Sequence, residues 1–562
     1  METKRAMVAI LISMAILVGY QYFFISPPPP VAESPEQSQE PAALPSSSTV
    51  NKSPTAVSNT AMSTLDANAM EIGSAARRRP AQDIKVETSR YMAVISEDSG
   101  GIKSFRLKDF REERALDSGM KELINTANTE TDRELPLYFA WGADSSRVNG
   151  SLFEADKFTI KTTPGSTDVV SMTSQASNGV KISRSLSFND ESYLMELVVD
   201  VQNTTSDPLQ GAPFLSMNNR PFASQPDNSR LFTGPAVMLD GEVEQIKVDD
   251  LLEKAREIKG NLGWMSYEDT YFMCSIIPDA ASNGTQNSVK ISASDNDKVA
   301  SVLIGNADLI EPMAHKQYHY SVYVGPKKLD DLKKAGHDLE KVVNFGWFDF
   351  MAKPALYLLN FFNKYLHNYG VAIILVTILI KVLFWPISQK GMKSMRTMQK
   401  IQPKMAKMRE KYKDDKERQQ KEMMLLYKTY KVNPVGGCLP MILQIPVFFA
   451  LYRVLMQTIE LRHAPFMFWI NDLSAPDRLF IGFDLPYLGG LPVLTLLMGA
   501  SMFLQQKMTP TSGDPTQAKM MMFMPVIFTF MFLNFASGLV LYWLVNNLLS
   551  IAQQYVINRQ TD

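Results

Sequence analysis

Cysteine and histidine are scarce in this chain of 562 residues, and its charges nearly balance. The two cysteines, Cys274 and Cys438, lie far apart and outside any CxxC pair, so we expect neither a structural disulfide nor a cysteine-based metal site. The five histidines have no HExxH or similar spacing, so we expect no metal and no cofactor. The formal net charge of -1 indicates no particular class of partner.

The mean hydropathy of -0.10 would by itself indicate a soluble protein. This average combines a polar first part with an apolar last part, and the difference decides the class. At this length we expect more than one domain. The 33 methionines cluster in the second half, either as membrane or core filler or as a compliant apolar surface for irregular partners.

The N-terminal residues 1–25 contain an apolar run that follows Lys4 and Arg5. It is long enough to cross the hydrocarbon core, and it ends in aromatic residues without an A-x-A cleavage site. We therefore predict an uncleaved signal anchor whose N-terminus is cytoplasmic, with a cleavable signal peptide as the alternative. Residues 26–82 are rich in Pro, Ser, Ala, Thr and Gln, a composition typical of a disordered linker.

Residues 83–330 change character, because short apolar stretches alternate with polar residues between turn signals. Examples are Tyr91-Met-Ala-Val-Ile95 and Tyr318-His-Tyr-Ser-Val-Tyr-Val324. This pattern predicts an all-β sandwich on the outer side of the membrane. No paired-carboxylate motif and no nucleophile elbow stands out in it. Residues 331–366 then turn helical and strongly aromatic, which predicts an amphipathic helix on the outer membrane face, or a plain connecting helix as the alternative.

Residues 367–557 contain five further candidate spans, which with the anchor predict six transmembrane helices. The loop after the first span holds fourteen Lys and Arg against five Asp and Glu between residues 387 and 435, so we place it in the cytoplasm. The C-terminal tail, 558–562, is then also cytoplasmic. The five spans are Gly370–Trp385, Leu439–Ile459, Leu488–Leu504, Met520–Phe535 and Leu539–Ile557.

The cytoplasmic loop, 387–435, has its own helical periodicity. Methionine and isoleucine recur every three or four residues before Asp414 and Asp415, and a second apolar set follows them. We predict a helical hairpin that serves as a docking surface, with a simple topology-determining loop as the alternative. The basic residues of this predicted surface are Lys393, Arg396, Lys400, Lys404, Lys407 and Arg409.

Two cations lie inside the predicted spans, Lys381 and Arg453. A lysine at the centre of a span costs about 2.5–3.5 kcal/mol on insertion scales, so it is a functional candidate. Thr377 lies on the same helix face as Lys381, and Gln444 lies on the next span, which favours a wet groove. The alternative for Lys381 is that its long side chain reaches the interface, and Arg453 can reach the outer interface in the same way.

With these residues in view, the chain resembles the YidC membrane protein insertases of Gram-negative bacteria. The resemblance rests on specific strings and covers residues 340–557 closely, the β-rich part more weakly and the anchor and linker in position only. The strings include Lys431-Val-Asn-Pro-Val-Gly-Gly-Cys-Leu-Pro440, Glu460-Leu-Arg-His-Ala-Pro-Phe466, Trp469-Ile-Asn-Asp-Leu-Ser474 and Ser537-Gly-Leu-Val-Leu-Tyr542.

The resemblance implies a polytopic α-helical protein of the bacterial inner membrane with a large periplasmic domain. It implies a protein that is not an enzyme and that inserts and folds new membrane proteins through a hydrophilic groove, alone or with the Sec translocon. Most family members have Arg where this chain has Lys381, which keeps the charge and loses the bidentate fork. Trp543 stands where many members have a second Tyr. The groove residues implied here are Lys381, Thr377, Gln444, Tyr542, Trp543 and Asn546.

The implied partners are nascent membrane proteins, the Sec translocon, ribosome or signal recognition components and the lipid bilayer, with no small-molecule substrate. Two other function classes stay open from the residues alone. A channel or transporter would repeat polar residues along several spans or contain inverted repeats, and neither is visible. A sugar-binding or sugar-modifying enzyme would use the β-rich domain, although the distinctive strings lie in the membrane half.

Overall fold

The computed structural model describes fourteen stretches of the chain. The predicted anchor and residues 26–80 of the predicted linker lie outside them. All contacts given below lie within residues 81–512 and 521–559, which belong to one compact unit. The described stretches are 81–97, 99–114, 117–126, 135–142, 153–174, 179–222, 232–283, 287–294, 298–413, 415–430, 439–483, 485–486, 488–508 and 515–559.

Twenty strands form three sheets within the described part of residues 83–330. They are β1 (Ile84–Glu87), β2 (Tyr91–Ile95), β3 (Ile102–Arg111), β4 (Met120–Asn125), β5 (Phe139–Gly142), β6 (Phe153–Ala155), β7 (Thr159–Lys161), β8 (Thr167–Ser174), β9 (Val180–Asn189), β10 (Leu194–Asn203), β11 (Leu209–Asn219), β12 (Gly234–Leu239), β13 (Glu242–Gln245), β14 (Arg256–Gly260), β15 (Leu262–Glu268), β16 (Phe272–Pro278), β17 (Asn287–Ala293), β18 (Val299–Ile304), β19 (Asp308–Ile310) and β20 (His315–Pro326).

The largest sheet has nine strands in the order β13-β12-β15-β16-β20-β10-β9-β8-β6. A five-stranded sheet has the order β4-β3-β2-β1-β7, and a six-stranded sheet contains β14-β17-β18-β11-β19 with β5 also paired to β11. Pairing is antiparallel, as in β10 with β20, except between β1 and β7, which are parallel. Along β9 buried positions alternate with less buried ones, as the period of a strand requires.

One apolar core joins the three sheets. It contains Tyr91 from the five-stranded sheet, Trp264 from the nine-stranded sheet and Leu215 from the six-stranded sheet, all fully buried. Two short helices, α1 (Val248–Glu253) and α2 (Ala280–Asn283), interrupt the strands. The predicted β-rich character of this region is therefore confirmed.

The segment predicted as one amphipathic helix over 331–366 is divided in the structure. It consists of α3 (Leu329–Ala335), two 3-10 turns at Leu339–Val342 and Gly346–Phe348, and α4 (Asp349–Leu366). The prediction of a single helix was wrong because Gly336, His337 and Asp338 all have positive φ, of 74, 54 and 57°. Such angles end a helix and suit glycine.

Residues after position 330 complete the core of the β-rich domain. Leu332, Leu339 and Val342 are buried in the same apolar cluster as the three sheets. Burial of each such side chain is worth about 1.5–3 kcal/mol. The hydrophobic core therefore extends past the predicted domain boundary.

We therefore expect a fragment of residues 83–344 to unfold cooperatively as a soluble protein, and a fragment of residues 83–330 to be less stable by several kcal/mol. The measurement is the urea midpoint of each fragment. In the longer fragment Leu339→Ala should cost about 2–5 kcal/mol, because it leaves a cavity. The exposed Leu309→Ala is the matched control, with no expected change. Equal midpoints for the two fragments would contradict this assignment.

The helical part begins with α5 (Tyr369–Lys411), a single helix of 43 residues that includes the first predicted span. The Asn368 side chain accepts a hydrogen bond from Val371 N and so caps its first turn. The helix continues through Pro386 and Pro403, so the predicted span and the predicted cytoplasmic loop are not separated by a break at residue 387. The remaining helices are α6 (Lys416–Thr429), α7 (Leu439–Gln457), α8 (Val493–Met508), α9 (Pro515–Met531) and α10 (Ser537–Arg559), with 3-10 turns at Ile459–Leu461 and Phe532–Asn534.

Among the described residues, Tyr369–Ser394 is the one helical segment long and apolar enough by itself to cross a membrane. Met521–Asn534 is a shorter apolar segment. The predicted number of six spans therefore stays a prediction. A second apolar core joins α4, α5, α7, α8 and α10, with Leu356, Val376, Leu451, Met498 and Leu539 among its buried members.

Candidate functional site

A polar cluster lies between α5, α7 and α10. The Lys381 ammonium on α5 donates to Ser550 Oγ on α10 over 2.8 Å. The Ser550 hydroxyl in turn donates to the Asn546 carbonyl over 2.8 Å, so its single proton is used there and its oxygen accepts from lysine. Ser550 is buried, whereas Lys381 is half-buried. The structure therefore directs the Lys381 ammonium at the neighbouring helix.

A second pair links α7 to α10 one turn away. Gln444 Nε2 donates to Asn546 Oδ1 over 2.6 Å. The same Gln444 side chain interacts with the buried Tyr542 hydroxyl. Lys381, Gln444, Tyr542 and Asn546 thus belong to one connected set of side chains and backbone groups.

The other two predicted groove residues have different surroundings. Thr377 lies one turn before Lys381, but it is buried and its hydroxyl donates to the Ile373 carbonyl of its own helix over 2.6 Å. Trp543 packs edge-on against Phe448 and Phe532, with ring centroids 4.8 and 5.0 Å away. These contacts make Trp543 part of an aromatic wall beside the polar cluster.

Sequence reasoning missed polar residues further along α10. Ser550 holds Lys381, and the buried Asn547 Nδ2 donates to Ser501 Oγ on α8 over 3.1 Å. Gln553 is buried too, and its Nε2 has no hydrogen-bond partner among the described residues. A signal was present, because Tyr542, Asn546, Ser550 and Gln553 recur at helical spacing in an otherwise apolar segment.

The second cation of the predicted spans, Arg453, lies on an exposed face of α7. No hydrogen bond or ion pair joins its side chain to another residue of the described part of the chain. Its position differs from that of Lys381, which faces α10 and bonds to it.

The predicted docking hairpin consists of the last part of α5 and α6. Met398, Ile401 and Met405 are buried against Met423, Leu426 and Tyr427. The basic side chains Lys393, Lys400, Lys404, Lys407 and Arg409 are exposed, and the Arg396 side chain lies outside the described residues. The Lys404 ammonium bonds to the Tyr430 hydroxyl and lies 4.6 Å from its ring centre.

A loop between α7 and α8 lies at the helix ends opposite the hairpin. We call residues 460–479 of this loop the outer loop. Arg462 donates to the carbonyls of Arg111 and Glu112 in the β-rich domain, over 2.8 and 2.9 Å. Burial lowers the pKa of the Arg462 guanidinium. The same guanidinium lies 5.5 Å from the centre of the Phe272 ring. Just before the outer loop, Ile459 is buried in the core of the β-rich domain. The loop therefore holds the β-rich domain against the helices.

The same loop is attached to the first turns of α5 and α10. Asn368 Nδ2 donates to the Phe466 carbonyl over 3.0 Å at the start of α5. Ser537 Oγ donates to the Asp472 carbonyl over 2.7 Å at the start of α10. These bonds attach the outer loop to α5 and α10 at the helix ends opposite the hairpin.

A buried carboxylate, Asp477, organises the end of this loop. It accepts hydrogen bonds from Trp469 Nε1 over 2.6 Å and from the backbone N–H groups of Leu494 and Thr495. The two backbone donors belong to the first turn of α8, where N–H groups have no partner within the helix. Asp477 therefore caps α8 from a distant part of the chain.

Comparison with known proteins decides the family. A family model described as the YidC periplasmic domain matches residues 83–358, and one described as the 60Kd inner membrane protein matches residues 361–562. A membrane protein insertase YidC of Syntrophus aciditrophicus is 42% identical over 566 residues, covering 99% of each chain. This chain belongs to the YidC family of membrane protein insertases.

Two further matches are to proteins of the same name. The insertase of Syntrophobacter fumaroxidans is 46% identical over 392 residues, which cover 70% of this chain and 71% of the relative. A solved structure of an active YidC insertase with its first transmembrane domain resolved is 20% identical, covers 85% of this chain and 93% of its own, and has a TM-score of 0.35.

Membership of the YidC family confirms three predictions: insertion of membrane proteins as the function, a protein that is not an enzyme, and the bacterial inner membrane as its location. It also favours an insertase over the channel and the sugar-modifying enzyme that the residues alone left open.

Proposed function

We propose that this chain inserts and folds newly made proteins into the inner membrane through a hydrophilic groove between α5, α7 and α10. The observation that carries the proposal is the Lys381–Ser550 hydrogen bond, which holds a cation between predominantly apolar helices. Gln444 and Asn546 extend the polar surface to α7. Thr377 and Trp543 contribute packing and shape, whereas the Tyr542 hydroxyl belongs to the polar cluster through Gln444.

The physical mechanism needs no covalent chemistry. A client's polar or acidic outer tail has to enter a region of low dielectric, where a fixed positive charge attracts it more strongly than in water. Ser550 holds that charge without neutralising it, because a hydroxyl carries no charge. The client's apolar segment then passes to lipid along exposed apolar residues of α5 such as Val382 and Leu383.

The topology follows from the charge asymmetry of the loops. Six spans place both termini and the basic hairpin in the cytoplasm and the β-rich domain in the periplasm. α4 then lies on the periplasmic membrane face, since Phe350, Phe361 and Tyr365 are exposed on it while Ala352 and Leu359 are buried.

The topology predicts one-sided labelling. With Cys438→Ser as background, a cysteine at the exposed Lys411 should react only from the cytoplasmic side and one at the exposed Ser206 only from the periplasmic side. Cys274 is buried, so it adds little background. The opposite pattern would exclude the six-span arrangement.

The partners follow from the surfaces. Nascent membrane proteins are the clients, and the lipid bilayer receives them. The exposed basic face of the hairpin suits acidic or RNA-containing partners on the cytoplasmic side, such as ribosomes or signal recognition components. The Sec translocon would act beside the same helices, and no small-molecule substrate is required.

The decisive experiment for this function is reconstitution. Purified protein in liposomes should insert a short single-span client, measured as protection of that client from added protease. Empty liposomes are the control for spontaneous insertion. Equal protection in both preparations would contradict the proposed function.

A further inference from the structure

Two short loops protrude from the outer ends of the membrane helices, and we call them the outer tips. The first outer tip is residues 466–470, and the second is residues 480–483. Both follow the end of α7 and precede α8. They are separate from the polar cluster, which lies deeper between the helices.

Both outer tips expose large apolar side chains. Phe468 is 86% exposed, and Met467 beside it is 46% exposed. In the second outer tip Phe480, Ile481 and Phe483 are 66, 41 and 59% exposed. Residues 466–470 and 480–483 include no charged side chain. Contiguous exposed apolar side chains of this kind mark a contact with another apolar phase.

Both outer tips have closed bases. Phe466 N donates to the Ile470 carbonyl over 2.9 Å, and Ile470 N donates to the Met467 carbonyl over 3.1 Å. The loop that contains the second tip is closed by reciprocal backbone hydrogen bonds between Leu479 and Leu491, both 2.8 Å. Backbone pairing at the base leaves the apolar side chains at the apex as the groups presented outwards.

The bases of the outer tips are attached at the level where the helices end. Arg478 donates to the Leu533 carbonyl and to Asn534 Oδ1, each over 2.8 Å, at the turn between α9 and α10. Asp477 binds the first turn of α8. The polar and charged groups of this region therefore bond inwards, behind the tips.

The apolar surface of the helices continues onto the outer tips. In the first turns of α8, Leu496 and Leu497 are 48 and 50% exposed. At the end of α9, Phe530 and Met531 are 69 and 50% exposed. In an inner membrane protein these exposed helix surfaces face lipid, so hydrocarbon lies next to the outer tips.

We propose that the two outer tips insert into the periplasmic leaflet of the bilayer as shallow lipid anchors. The occupant of this surface is lipid, because the tips are apolar, uncharged and continuous with the lipid-facing helix surfaces. This anchoring is independent of client insertion. It fixes the depth of the outer loop, which also holds the β-rich domain through Arg462.

The test places an environment-sensitive fluorophore on single cysteines in the full chain, in the Cys438→Ser background. The labelled variants are Phe468→Cys and Phe483→Cys, with Met467→Cys as a second position should Phe468→Cys fail to accumulate. Leu309→Cys on the β-rich domain is the matched control, since Leu309 is also exposed, at 60%. The protein is reconstituted in vesicles of phosphatidylethanolamine and phosphatidylglycerol.

We expect nitroxide attached near the lipid headgroups to quench both tip labels several-fold more than the Leu309 label. We expect aqueous iodide to show the reverse order. Strong iodide quenching at both tips would overturn the proposal. Protection that appears only after a second membrane protein is added would also overturn it and would indicate a protein partner. Neither outcome depends on whether the vesicles insert a client.

Discussion

Reversal of the charge at Lys381 should lower insertion of clients with acidic outer tails by about tenfold or more, since about 1.4 kcal/mol of transition-state attraction corresponds to a factor of ten.

 Lys381→Glu places a negative charge beside Ser550, so it repels an acidic tail as well as removing the attraction. Lys381→Ala removes the attraction only, and its effect should be smaller. Lys381→Arg should keep most activity, because it keeps the charge.

The matched control is Arg453→Glu, which makes the same reversal at an exposed site on α7. It should leave the insertion rate near that of the unaltered protein. The measurement is the initial rate of protease-protected client in liposomes, for one client with an acidic tail and one with a neutral tail. If Lys381→Ala and Lys381→Glu both accumulate normally and insert at the unaltered rate, Lys381 has no groove role and its side chain serves only to reach the interface.

Removal of the Asp477 carboxylate should strongly destabilise the helical part of the protein. Asp477→Ala leaves three donors, Trp469 Nε1 and the N–H groups of Leu494 and Thr495, without their acceptor in a buried site. An unsatisfied buried donor costs about 1–3 kcal/mol, so the total loss should be about 3 kcal/mol or more. Asp477→Asn keeps one acceptor oxygen and should lose less.

The measurement for Asp477 is the apparent unfolding temperature of the purified protein in detergent. Asn471→Ala is the matched control, since Asn471 lies in the same loop with an exposed side chain. Asp477→Ala should also reduce insertion, because the loop that it stabilises holds the first turns of α5 and α10. An unfolding temperature unchanged from that of Asn471→Ala would show that water replaces the lost acceptor.

The outer loop also explains how two parts of different character are held together. Arg462 bonds to two carbonyls of the β-rich domain, and Ile459 is buried among its sheets. The sequence suggested two domains with a clean boundary near residue 330. In the structure, Leu339 and Val342 before the helical part and Ile459 within it complete the β-rich core.

The sequence by itself determined the character of each region. Alternating apolar residues such as those of β9 and β10 specify strands, because successive side chains of a strand face opposite sides. The apolar run before Lys381 specifies a helix that can cross a membrane, and the position of Lys381 within it marks a candidate site. These patterns are local, so they can be read without knowledge of the neighbours.

Only the tertiary structure decided which side chains meet. Lys381 bonds to a serine 169 positions away, and Gln444 bonds to an asparagine 102 positions away. Thr377 has the right spacing for the predicted groove but bonds to its own helix, and Asp477 caps a helix that begins after a long loop. The rotation and depth of each packed helix set these pairs, and they depend on contacts between distant residues that no local periodicity contains.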